Sequence, residues 1–277
     1  MTQQTQRDAD ATSLAAGSLR GRKALVTGST GGLGIAIAEG LARAGCTVML
    51  HGLSSAEAVE DGRRALAAQT GADILYHRAD LSVREGAESL VDAARSGLGG
   101  VDILVNNAVV RDFAPVVDFS PERWETALAV NLSAAFHAIR LLLPDMRRGN
   151  FGRIFNMTSV YGVRGTTDRV GYVTTKSALL GLTRAVALEN LDRDVTCHCL
   201  CPGSVLTPGT DDRVVQIMTD RNLDRDSAER IFLKGKQPGG TFVSPKSVSD
   251  LLVFLCGPVA RDMTGAMLPV EAGWLAS

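Results

Sequence analysis

Short unbroken apolar runs and longer amphipathic stretches take turns along most of this chain. The runs are KALVT (23–27), TVMLH (47–51), ADILYHRAD (72–80), VDILVNN (101–107), GRIFNMTS (152–159) and DVTCHCLCPG (194–203). A strand with one wet face alternates apolar and polar residues; a strand covered on both faces does not. These runs therefore read as strands of a buried parallel sheet. Helical spacing of apolar positions marks LGIAIAEGLARAG (33–45), EGAESLVDAARSG (85–97) and GYVTTKSALLGLTRAVALE (171–189). It also marks a long segment that starts near Pro121 and runs through ERWETALAVNLSAAFHAIRLLL. Strand and helix in alternation imply right-handed crossovers, so the expected fold is a doubly wound α/β sheet with helices on both faces. No linker divides it: residues 21–277 read as one domain after a floppy leader at 1–20. TDDRVVQIMTDRNLDRDSAERIFLKG (210–235) breaks the rhythm, charged and helical in period just after a strand end. It reads either as a solvated helix pair or as a small helical lid, spanning 210–238, over the sheet's carboxyl edge.

Composition narrows the functional classes. Apolar residues make up 45% of the 277 and the net charge is −1, which gives no support to a nucleic-acid or anionic-membrane partner. No run approaches the roughly 18 apolar residues of a spanning helix. The first 20 residues lack the apolar centre of a secretory signal. Five cysteines, three of them in CHCLC (197–201), argue against a disulfide framework and fit a reducing cytoplasm. Alternation in a strand sends Cys197, Cys199 and Cys201 to one face and His198 to the other, so they read as small apolar residues and no metal is expected.

The candidate chemistry lies at the strand ends. In TGSTGGLG (27–34), Gly28, Gly32 and Gly34 sit between a strand and a helix. Missing side chains there let the backbone approach a pyrophosphate at a helix amino end. The second strand ends Leu50-His51-Gly52-Leu53, without the acid that grips an adenosine ribose and without an arginine for a 2′-phosphate. NAD and NADP both stay open on that ground. Asp80 could meet the adenine edge, or Ser82 and Glu85 could form a capping box there. Asn106 could pin the loop beside the cofactor. Asn131 interrupts a helix interior, where its amide competes with the backbone, and predicts a kink, a held water or a polar stripe. Tyr172 and Lys176 share a helical face, and Ser159 closes a strand. A phenol titrates near 10, so as an acid or base at neutral pH it needs a neighbouring positive charge. Tyr172 with Lys176 beside it could take the proton of an alcohol while Ser159 holds the same oxygen.

TG-x3-G-x-G, the Asn106-Asn107-Ala108 strand end, Asn131, Ser159 and Tyr172-x3-Lys176 together resemble the short-chain dehydrogenase/reductase family, over roughly residues 20–275. The resemblance implies a Rossmann-like single domain, an NAD(P) cofactor, no catalytic metal and a homotetramer. It implies Tyr172 as acid/base, Lys176 as the group that binds the nicotinamide ribose and lowers the tyrosine's pKa, Ser159 as substrate-orienting and Asn131 as the holder of a relay water. Cofactor contacts would fall at Gly28, Thr30, Gly32, Leu33, Gly34, His51, Asp80, Leu81, Asn107, Ala108, Tyr172, Lys176, Pro202, Gly203, Val205 and Thr207. Two positions depart from the family's pattern: Val109 replaces a glycine after Asn-Asn-Ala, and Ala272-Gly273 replaces Gly-Gly.

Within the family the texture is most similar to bacterial D-3-hydroxybutyrate dehydrogenases, which points to NAD and a small acid. Their substrate-holding positions fall on Arg111, Tyr161, Arg169, Ser204, Arg213 and Trp274. Three arginines replace neutral or lysine groups, and arginine forks suit carboxylate, sulfonate or phosphate oxygens. An anionic hydroxy acid, 3-hydroxybutyrate or a more charged relative, is the expected substrate unless the arginines face solvent. The room left by Ser204 keeps a bulkier cyclic or aromatic ketone open, and Val109 keeps open a nucleotide-binding scaffold without turnover.

Overall fold

The computed structural model describes residues 18–277. Seven parallel strands form one sheet in the order β3-β2-β1-β4-β5-β6-β7. They are β1 (Lys23–Val26), β2 (Thr47–Gly52), β3 (Ile74–Arg78), β4 (Ile103–Asn106), β5 (Gly152–Met157), β6 (Val195–Pro202) and β7 (Met267–Val270). The helices are α1 (Gly32–Arg43), α2 (Ala56–Thr70), α3 (Arg84–Leu98), α4 (Pro121–Leu128), α5 (Ala134–Arg148), α6 (Val170–Leu188), α7 (Pro208–Arg221), α8 (Arg225–Leu233) and α9 (Pro245–Cys256). The order reverses between β1 and β4, which opens a crevice at their carboxyl ends.

The apolar runs are explained by cover on both faces. Along β1, Ala24 and Val26 join a core with Ile37, Leu41, Val248 and Leu252, while Leu25 joins the opposite core with Leu90, Leu142 and Val186. One layer is therefore α1, α2 and α9, and the other is α3, α5 and α6. Each fully buried leucine contributes about 1.5–3 kcal/mol. The expected strands are present, all shorter than expected except β2, which runs one residue longer; ends such as Thr27, Asn107, Thr158, Ser159 and Gly203 turn out of the sheet and build its carboxyl edge.

Several expectations change. Residues 1–17 of the expected leader lie outside the described residues, and the leader does not extend to residue 20: Leu19 is buried in the core and its N–H donates to Ala44 O at 2.7 Å. Ser82 and Glu85 make no capping box, since α3 starts after Val83, which provides no side-chain cap. The Ser82 N–H is taken instead by Asp80 Oδ1 at 2.9 Å. α4 and α5 are one helix, Pro121–Arg148, joined by a π turn at Ala129–Ser133 around Asn131. The helix has 28 residues and its most apolar 18-residue window has a mean hydropathy of 1.5, so by length and composition alone it is able to cross a membrane, although its apolar residues form no unbroken run. It packs instead along α3 and the sheet, with Leu142 and Ile139 in the core. The sequence pattern does not mark α2, α9 and β7; α2 buries only Leu66, so it shows no broad apolar stripe.

α7 and α8 form the expected helix pair beside the carboxyl edge, closed on a small core of Val214, Ala228, Leu233 and Phe242. The five cysteines are buried and free. Among the described residues no group of His, Cys, Asp or Glu is arranged to hold a metal ion.

Candidate active site

The glycine turn leaves β1 and enters α1. Gly28 and Gly32 have left-handed backbones, φ +59° and +55°. A Cβ on Gly28 would stand 2.8 Å from Ala108 Cα, and one on Gly34 would stand 2.2 Å from Gly28 O. Glycine at both positions thus lets α1 and the 107–109 loop close on the turn. A Cβ on Gly31 would meet nothing within 4 Å among the described residues, so the turn is open there toward a cavity. Gly31 also leaves the first N–H groups of α1 without a side-chain cap. Free N–H groups at a helix amino end beside an open glycine surface are what a pyrophosphate requires, and the residues present fit a dinucleotide.

Hydrogen bonds brace this cradle from behind. His51 Nδ1 accepts from Gly28 N at 3.0 Å, which leaves its proton on Nε2, facing Ala79 O at 3.0 Å. Burial holds the His51 pKa below its ordinary value, against the opposing pull of the Ala79 carbonyl. His51 therefore lies under the turn rather than on its open side. Asn107 Nδ2 donates to Thr27 O and Gly28 O at 2.9 and 2.8 Å. Asn106 Nδ2 donates to Asn156 Oδ1 at 2.9 Å. Asn131 clamps the next segment: its Oδ1 accepts from Val110 N at 2.8 Å, and its Nδ2 faces Val110 O and Thr175 Oγ1 at 3.1 and 3.3 Å. Thr30, His51, Asp80, Leu81 and Asn131 do not line the cavity, whereas Val109 does.

Tyr172, Lys176 and Ser159 line that same cavity of about 420 Å³, together with Leu33, Asn107, Ala108, Pro202, Gly203, Val205 and Thr207. Lys176 Nζ donates to Met157 O at 2.6 Å, and Thr158 Oγ1 donates to Lys176 O at 2.8 Å. Gly162 makes this contact possible: a Cβ there would sit 2.4 Å from Thr158 Oγ1 and 2.9 Å from Lys176 O. The end of β5, which carries Ser159, is thus locked to α6, which carries Tyr172. Burial, and then the nearby Arg111, pull the Lys176 pKa down to about 7.

Beyond Tyr172 the wall is cationic and aromatic. Arg111 lies over the Tyr172 ring at 5.7 Å, and Arg169 over Phe113 and Tyr161 at 4.5 and 5.2 Å. Arg213 lies over Phe113 and Phe232 at 5.5 and 5.3 Å, and Lys236 over Phe232 at 3.8 Å. Trp274 backs the wall edge-to-face on Tyr161 at 5.3 Å. The 109–118 loop reaches Arg169 because Ala114 N donates to Asp168 O at 3.1 Å. The structure thus brings Arg111, Tyr161, Arg169, Arg213 and Trp274 together at one end of the cavity. It adds Lys236, Phe113 and Phe232, which the sequence did not single out. Lys236 opens the segment Lys236-Gln237-Pro238, and its neighbour Gln237 accepts from Ser204 N at 2.6 Å, which ties that segment to the residue after Gly203 in the cavity lining. Among the described residues no Asp or Glu lines the cavity. Burial, Arg213 and Arg169 lower the Lys236 pKa to about 8, and burial lowers that of Arg169.

The short chain dehydrogenase family model matches residues 22–216. A D-beta-hydroxybutyrate dehydrogenase of Cupriavidus necator is 40% identical over 260 residues, covering 93% of this chain and 99% of the relative. A second, of Rhizobium meliloti, is 34% identical over 256 residues, covering 92% and 99%. The crystal structure of L-sorbose reductase from Gluconobacter frateurii, in complex with NADPH and L-sorbose, superposes with a TM-score of 0.88 at 29% identity, covering 94% of this chain and 98% of that one. The chain belongs to the short-chain dehydrogenase family, and as a member it is an NAD(P)-dependent oxidoreductase.

Proposed function

We propose that the protein interconverts a secondary alcohol and a ketone on a small anionic 3-hydroxy acid, with NAD as the cofactor. The observation that carries this reading is one cavity lined at one end by the glycine turn, in the middle by Ser159, Tyr172 and Lys176, and at the other by arginines with, among the described residues, no carboxylate. The glycine turn and the amino end of α1 would hold the pyrophosphate, and Lys176 the nicotinamide ribose. The nicotinamide, when bound, supplies the hydride acceptor or donor. In oxidation the substrate's C–H bond breaks with its electron pair, and its hydroxyl proton passes to Tyr172 Oη acting as base. In reduction Tyr172 gives that proton to the carbonyl oxygen. Ser159 Oγ fixes the same oxygen, and Asn131 holds the loop that carries Val110 and Arg111. Arg111 and Arg169 receive the acid group, with Tyr161 and Trp274 around it and Arg213 further along the same wall, over Phe113 and Phe232.

NAD is favoured because neither the glycine turn nor the 51–55 segment offers a lysine or arginine to a 2′-phosphate. A homotetramer in the cytoplasm is the family expectation we adopt. Exposed apolar side chains on α5 and α6, Phe136 and Leu188, are suited to subunit contacts.

Steady-state rates with NAD and NADP on 3-hydroxy acids and neutral secondary alcohols test the reading. The acids should lead, and Arg169→Ala should lower their kcat/KM by about 10–100-fold, the weight of one charge-assisted contact. Faster turnover of a neutral cyclic alcohol, or cofactor binding without turnover of any alcohol, would overturn it.

A further inference from the structure

The cavity carries more positive charge than one acid group can use. Arg111 and Arg169 stand by Tyr172 and Tyr161, where the reacting carbon and its acid would lie. Arg213 and Lys236, on α7 and just past α8, form a second, outer pair: they share the Phe232 ring at 5.3 and 3.8 Å and, among the described residues, lie over neither Tyr172 nor Tyr161. Among the described residues none of these four side chains makes an ion pair, although they line one cavity. Aromatic faces orient them but do not neutralise them. Like charges held together and partly desolvated are costly unless an anion joins them. A single carboxylate at Arg111 and Arg169 would leave the outer pair still unmatched.

Resting on the function proposed above, we infer that the substrate is a dianion: a hydroxy acid whose end remote from the reacting carbon carries a second anionic group, held by Arg213 and Lys236. The lid helices thereby read the far end of the substrate, while the 109–118 loop and Arg169 read the near end. The lowering of the Lys236 pKa to about 8, by burial and then by Arg213 and Arg169, fits a site that gains from an incoming negative charge. Carboxylate, sulfonate and phosphate share the required chemistry.

The test compares 3-hydroxybutyrate with 3-hydroxyglutarate and 3-hydroxyadipate, with NAD, in the wild type, Arg213→Gln and Lys236→Met. A dicarboxylate should exceed the monocarboxylate in kcat/KM by about tenfold or more, and each variant should cut that ratio by about tenfold, the range of a charged contact. A wild-type ratio near one, or a ratio the variants leave unchanged, overturns the inference. A second measurement needs no turnover: the melting shift of the NADH complex with butyrate, glutarate or 4-phosphonobutyrate. A larger shift with either dianion, lost in Lys236→Met, supports the outer subsite and tells its preferred anion. Equal shifts for all three overturn it. Melting shifts that favour dianions without oxidation of any hydroxy acid would defeat the proposed reaction and spare the subsite.

Discussion

Lys176 Nζ donates to the main-chain oxygen of Met157 at 2.6 Å, so the ammonium of α6 is bonded to the end of β5 two residues before Ser159. That bond and the Thr158–Lys176 bond set the helix face bearing Tyr172 against the strand end bearing the serine. Lys176 is consequently a structural tie as well as a charge, and the two roles separate by experiment.

Tyr172→Phe removes the oxygen proposed as acid and base but keeps the ring under Arg111. The turnover number should fall by about 100–10,000-fold, the usual weight of a general acid or base. Cofactor affinity, read by NADH fluorescence, should stay close to that of the wild type. Undiminished turnover would remove Tyr172 from the mechanism.

Lys176→Met tests the buried charge through pH. The folded protein holds the Lys176 pKa at about 7, below its ordinary 10.5. From pH 7 upward the unfolded chain therefore binds the extra proton and the native state does not, so this group raises stability as pH rises. Below pH 7 both states are protonated and the full burial penalty is present. Melting of the cofactor-free protein from pH 7 to 9 should show the wild type gaining on the variant. Parallel curves would mean that the ammonium is not held as described.

Gly34→Ala places a methyl 2.2 Å from Gly28 O and 2.6 Å from Asn107 Nδ2. The first of these is main chain and cannot swing away, so the turn and α1 must separate. A loss of about 1–3 kcal/mol is expected, as for other overpacked sites. Denaturant unfolding and NAD titration should show weaker folding together with weaker cofactor binding. The methyl of Gly31→Ala meets nothing within 4 Å among the described residues, so the larger loss there should appear in cofactor binding.

Asn131→Ala leaves Val110 N–H and C=O without their partners. A cost of about 1–3 kcal/mol is expected for each buried group left bare. Since Val110 precedes Arg111, KM for the hydroxy acid should rise more than kcat falls. A pure loss of kcat at unchanged KM would instead favour a proton-relay role.

Much was legible in the chain because it rests on local periodicity. Strands covered on both faces show as unbroken apolar runs, and a tyrosine and a lysine four residues apart share a helix face wherever that helix goes. Elements with weak patterns were not legible: α2 buries only Leu66, and β7 is a four-residue edge strand. Solitary polar residues had several readings each. Only the packed structure turned His51 beneath the glycine cradle, occupied the Asn131 amide with Val110 and gave Asp80 to Ser82. The gathering of Arg111, Arg169, Arg213 and Lys236 likewise belongs to the tertiary structure. They lie on the 109–118 loop, at the start of α6, on α7 and just past α8, and their meeting depends on how those segments cross the sheet's carboxyl edge. A sequence states the spacing of neighbours along one element; distances between elements are set by packing, and the charge of this cavity exists only once packing is complete.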